Sequence, residues 1–124
     1  METLKTLVLN STFDDDSNAM SRDGPPNRLL QKLLRELQAI STLMRMVQLP
    51  FQRGLKPSWM GSGERRFQKL VDVISLSYRL LKQIAKDNER NALELHQYIS
   101  TFRAHLGKGM SCTITLKEIY MGKL

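Results

Sequence analysis

At 124 residues the chain has room for one domain and not two, and 41% hydrophobic with 25% charged residues is the composition of a chain that buries a core. A single cysteine, Cys112, rules out an intrachain disulfide framework, and aromatics at 6% argue against a stacking surface for single-stranded nucleic acid. The net charge of +7 is uneven, with two Lys/Arg against five Asp/Glu in residues 1–27 and seventeen against seven in 28–124; a basic body attracts nucleic acid, anionic lipid or an acidic protein face without choosing among them.

Leu4, Leu7 and Val8 make an apolar stripe at helical spacing. By itself it is too short to be a stable helix. Met1–Asn10 lacks a basic start followed by a long apolar run, so it does not read as a secretory leader. Every apolar run falls far short of the ~20 residues that span a bilayer, and the expected compartment is the cytosol. Ser11–Asn27 is polar and acidic and closes on Gly24-Pro25-Pro26, the composition of an exposed or disordered linker. The expected division is therefore a short helix plus acidic linker over 1–27 and a helical domain over 28–124.

Asn27 is placed to cap the first long helix. Leu29, Leu30, Leu33, Leu34, Leu37, Ile40, Leu43, Met44 and Val47 recur at three and four, predicting one continuous helix that Pro50 ends. Phe51–Gly63 is glycine-rich loop, with Trp59 and Met60 expected to fold back onto the body because a Trp buries a large area. A second helix is predicted near Glu64–Lys86. Its apolar set, Phe67, Leu70, Val71, Ile74, Tyr78, Leu81 and Ile84, is widened by Val73, Leu76 and Leu80, so it should be covered on more than one side. Asp87-Asn88 punctuates the chain, and a third helix is predicted near Glu89–Leu106, with Gly107 at its left-handed C-cap. A fourth is predicted near Thr113–Met121, where Thr115 and Glu118 have capping-box spacing.

The expected fold is thus all-α, about four antiparallel helices, satisfied by a bundle or by a segment of helical repeat. Leu33, Leu37, Ile74, Leu81, Ile99 and Phe102 are the expected core. Truncating one of them, such as Leu33→Ala, would cost about 2–5 kcal/mol if it is fully buried.

The residues that could carry chemistry do not converge. Asp14, Asp16 and Asn18 resemble the start of a calcium loop, but the sixth position is Ala19 and the twelfth is Pro25, where glycine and a bidentate glutamate are needed. His96 and His105 lie nine residues apart on one predicted helix and face apart. Cys112 has neither a second thiol for a metal nor a histidine placed to activate it. Gly107-Lys108-Gly109 lacks the strand and upstream glycine of a phosphate loop. No catalytic, cofactor-binding or metal-ligating residue is assigned, and an enzyme is not expected.

With the helices placed, residues 28 to about 121 resemble the RIH domain shared by inositol trisphosphate and ryanodine receptors. Two stretches carry the likeness. Leu43-Met44-Arg45-Met46-Val47-Gln48-Leu49-Pro50-Phe51 closes a leucine-rich helix with an apolar-Gln-apolar-Pro-aromatic run. Asn88 through Phe102 places Asn88, Asn91, Ala92, Leu93, His96, Ile99 and Phe102 in the family's pattern, closer to the inositol trisphosphate receptor. The resemblance implies an armadillo-like stack in which Asn88 and Asn91 tie down a turn. It further implies a segment of a much longer, tetrameric calcium-release channel on the cytosolic face of the endoplasmic reticulum. The partners implied are neighbouring repeats or subunits of that channel. The rival expectation is a basic helical nucleic-acid-binding or adaptor protein.

Overall fold

The computed structural model describes residues 2–10, 12, 18–19, 24–108, 110 and 115. Among these there are six α-helices and no strand: α1 Glu2–Asn10, α2 Arg28–Glu36, α3 Ala39–Gln52, α4 Gln68–Ala85, α5 Glu89–His96 and α6 Ile99–His105. The fold is all-α, as expected. Two short 3₁₀ turns, Pro57–Gly61 and Arg65–Phe67, link α3 to α4, and a lone bridge pairs Thr12 with Pro26. The stretch Asp14–Asp16, Cys112 and the predicted fourth helix lie outside the described residues, apart from Thr115.

α4 is the axle. Its continuous apolar surface leaves every residue from Ile74 to Ala85 buried except Arg79, because α1, α2, α3 and α5 all pack against it. That is the middle position its wide apolar face predicted. The short α1 gains from α4 what its length could not supply: Leu4 and Val8 are buried in the common core.

Two predicted helices are each broken in two. The first bends at Leu37-Gln38, where Gln38 sits in the left-handed region at φ 59°. Its carbonyl is held by the hydroxyls of Ser41 and Thr42, which donate to it at 3.0 and 3.2 Å. The bend splits the leucine stripe. Ile40, Leu43, Met44 and Val47 stay in the core with Leu34, but Leu29, Leu33 and Leu37 are 76%, 47% and 68% exposed. Leu33 and Leu37 are therefore not core residues, and Leu33→Ala is expected to change the unfolding free energy by under about 0.5 kcal/mol, the range of surface substitutions. A urea titration of the full chain checks this.

The third predicted helix breaks at Gln97-Tyr98 into α5 and α6. The turn is closed by the Tyr98 amide donating to the Leu95 carbonyl at 2.9 Å. It lets Ala92 and Leu95 bury on one side and Phe102 on the other, while Ile99 is only partly buried. Pro50 also fails to end its helix: α3 runs on to Gln52, with the proline in its last turn. Of the loop pair, Met60 is buried and Trp59 stacks on Phe67 at 6.0 Å with 38% of its surface exposed. Asn27 and Asn88 cap α2 and α5 as expected, each accepting from the amide three residues on, and Gly107 takes φ 72°.

Candidate interaction surface

The last carbonyls of an α-helix have no partner within it. At the C-terminus of α4 these groups are covered, yet by side chains from two other helices. Gln31 of α2 donates through Nε2 to the carbonyls of Gln83 at 2.9 Å and Lys86 at 2.8 Å. Asn91 of α5 donates through Nδ2 to the carbonyls of Ile84 at 2.9 Å and Gln31 at 3.4 Å. Arg28 donates to the carbonyl of Asp87, adding a cation where the helix dipole is negative. Asn88 then donates to Gln31 Oε1 at 3.1 Å, and Arg35 donates to Asn91 Oδ1 at 3.1 Å. Gln31 is 1% and Asn91 0% exposed. The cluster locks α2, α4 and α5 together through directional bonds that a greasy contact would not supply.

This clamp orients α2. At 100° per residue, Leu30, Gln31, Leu34 and Arg35 fall on the inner half of the helix, and Leu29, Leu33 and Leu37 form a ridge on the outer half. Leu29 and Leu33 on α2, with Leu37 at its C-cap, thus make an exposed apolar ridge on a firmly held helix. Lys32 and Glu36, both exposed, flank it. The resemblance anticipated Asn88 and Asn91 as ties for the turn, and the structure places both there. Gln31, Arg28 and Arg35 were missed, since nothing local distinguishes them from a solvated helix face.

A second buried polar group lies midway along α4. Tyr78 Oη and His105 Nδ1 are 2.5 Å apart, and Tyr78 packs its ring on Phe102 at 5.5 Å. Phe51 meets the His105 ring edge-on at 4.7 Å, and the Thr115 hydroxyl donates to the Tyr78 carbonyl at 2.6 Å. Burial strips water from the charged imidazole and holds the pKa of His105 below its ordinary 6.5. The Tyr78 hydroxyl and His105 Nδ1 share one buried hydrogen bond. His96 is half-buried at the end of α5. The folded-state pKa of His105 being the lower one, the unfolded chain takes up the proton first. Stability from this site is complete above about pH 6.5 and falls as the pH drops below it. Melting temperatures from about pH 7 to about pH 5 should therefore decline, and His105→Gln should flatten that decline; equal slopes for both proteins would contradict the assignment.

Among the described residues no helix is long and apolar enough to cross a membrane, and no three His, Cys, Asp or Glu side chains group as metal ligands would. Comparison with known proteins gives one result. No curated protein and no solved structure matches the chain, whereas the family model of the RIH domain matches residues 9–121. That span takes in the polar clamp, the leucine ridge and both ends of α4. With its all-α architecture and a match over most of its length, the chain belongs to the RIH domain family, a module of ryanodine and inositol trisphosphate receptors.

Proposed function

We propose that the chain is a cytosolic segment of an inositol trisphosphate receptor-like calcium-release channel at the endoplasmic reticulum, serving as a stiff lever between ligand-binding and pore-forming parts of a tetramer. The match of residues 9–121 to the RIH domain carries this reading. The clamped α2 supports it physically, because a lever must pass displacement without yielding at its joints. In this reading residues 28–124 are the repeat body and 1–27 the segment leading into it. A neighbouring repeat or subunit covers Leu29, Leu33 and Leu37. The segment performs no catalysis, does not enter the bilayer, and has protein rather than nucleic acid as its partner.

The test places Leu29→Asp, Leu33→Asp and Leu37→Asp together in the channel that contains this segment. Ligand-evoked calcium release from reticulum vesicles should fall by about five- to a hundredfold, the range of a lost coupling free energy, with ligand affinity unchanged. Undiminished release would overturn the lever role. A transcript carrying this segment without any pore-forming sequence would overturn the parentage.

A further inference from the structure

α6 is the shortest of the six helices, seven residues ending at His105, and by itself it is too short to persist in water. Tertiary ties hold it. Gln48 on α3 donates through Nε2 to Thr101 Oγ1 at 2.7 Å. The Lys108 backbone lies against Gly61, its carbonyl oxygen 3.3 Å from where a Cβ on Gly61 would stand. The other ties converge on one ring. Tyr78 of α4 bonds His105 through Oη and meets its ring edge-on at 5.9 Å. Phe51 of α3 meets the same ring at 4.7 Å, and Phe102 packs beside it on Tyr78. His105 is 3% exposed. A cleft of about 320 Å³ between α3, the 3₁₀ turn Pro57–Gly61 and α6 reaches the ring, so water has a path to it.

Among the described residues, the elements around this ring offer a cation no counterion. Residues 37–63, which hold α3 and the Pro57–Gly61 turn, carry Arg45, Arg53 and Lys56 and no carboxylate. Residues 97–108, which hold α6, carry Arg103 and Lys108 and again none. α4 has Lys69, Arg79 and Lys82 and one carboxylate, Asp72. Asp72 lies about 9 Å along the axis from Tyr78 and about 120° around it, and it accepts from Gln68 Nε2 at 2.9 Å. Tyr78 is the titratable group in contact with the ring. Protonation makes both ring nitrogens donors. The Tyr78 oxygen can then accept from Nδ1, but a hydroxyl supplies no negative charge, and a buried cation without an anion is strongly disfavoured. Carrying the ring out to water is the lower-energy course.

We propose that His105 is an acid-operated latch: its neutral ring seats α6 in the corner between α3 and α4, and its protonation frees α6 and loosens the Pro57–Gly61 turn while the clamp joining α2, α4 and α5 stays closed. The clamp is built from Arg28, Gln31, Arg35, Asn88 and Asn91 on backbone at the end of α4. None of these side chains changes charge between about pH 7 and about pH 5, so acid acts on the latch and not on the clamp. The loss of stability at acid pH is thus confined to one helix rather than spread over the fold. Release uncovers the rings of Tyr78 and Phe102, both 0% exposed when α6 is seated.

The test is amide hydrogen exchange of the full chain at about pH 7.5 and about pH 5.5, corrected for the intrinsic effect of pH on exchange. The amides of α6 should become about tenfold less protected, the gain in open population when a released ring of ordinary affinity takes up a proton that the seated ring refuses. The amides of α5 and of the last turn of α4 should keep their protection. Fluorescence of Trp59, the single tryptophan, should shift over the same pH range, because its 3₁₀ turn lies against the end of α6. His105→Gln should abolish the response and His96→Gln should leave it intact. Since glutamine also removes the ring contacts, the ring itself is followed by NMR in His96→Gln, where His105 is the one imidazole left. Its titration midpoint should coincide with the loss of α6 protection. Unchanged protection of α6 overturns the proposal. So does an equal loss across α2, α4 and α5, or an imidazole titration that leaves α6 protected.

Discussion

Phe102→Ala is expected to lower the unfolding free energy by about 3–5 kcal/mol, the cost of deleting a fully buried aromatic side chain and leaving a cavity. Phe102 is 0% exposed and lies on the Tyr78 ring at 5.5 Å. Its loss removes aromatic packing of α6 on the axle beside the Tyr78–His105 contact, and it loosens the pocket that keeps His105 dry. A small domain has about 5–15 kcal/mol in all, so this single change takes a large share. Urea unfolding of the full chain measures it. A loss below about 1 kcal/mol would mean that α6 is not held to α4 as described. Leu33→Ala, a leucine truncated on the ridge, is the matched control with almost no expected effect.

The second large effect concerns hydrogen bonds rather than volume. Asn91→Leu keeps nearly the same size and adds apolar surface at a fully buried position, yet it should cost about 2–3 kcal/mol, because buried backbone acceptors lose their donor. The Ile84 carbonyl is one of the unpartnered terminal groups of α4, and the Asn91 amide is what covers it. Arg35 loses its acceptor in the same substitution. Gln31→Leu should produce a comparable loss by exposing the carbonyls of Gln83 and Lys86. The double variant should fall short of additivity, since both side chains serve one network. Retained stability in Asn91→Leu would show that the cluster is dispensable as a joint.

The same cluster bears on the lever. Replacing it by apolar packing would hold α2 near α4 but leave its rotation unspecified. Directional bonds from Gln31 and Arg28 to the carbonyls of residues 83, 86 and 87 fix that rotation and with it the aim of Leu29, Leu33 and Leu37. In the proposed lever role, that aim decides which surface meets a neighbour.

What could be read from the chain alone is what depends on near neighbours. The helical period of α4 is written in residues three and four apart, and its apolar girth announces that it lies in the middle. Asn27, Asn88 and Gly107 act on backbone within a few residues of themselves, so their roles as caps are local chemistry. The likeness of the Leu43–Phe51 and Asn88–Phe102 stretches to the RIH domain rests on the same kind of short-range pattern. The breaks at Gln38 and Tyr98 are different. Neither position has the glycine or proline that signals a bend, and Gln38 takes a left-handed conformation that costs it energy locally. Only packing of both α2 and α3 on α4 repays that strain, and packing is decided by residues up to sixty positions apart in the chain. The same holds for Gln31, which looks like any polar helix residue until it meets the end of another helix 52 residues on. Leucines 29, 33 and 37 have the spacing of a core stripe. Whether such a stripe faces inward is settled by where its helix stops and turns, and that belongs to the assembled fold.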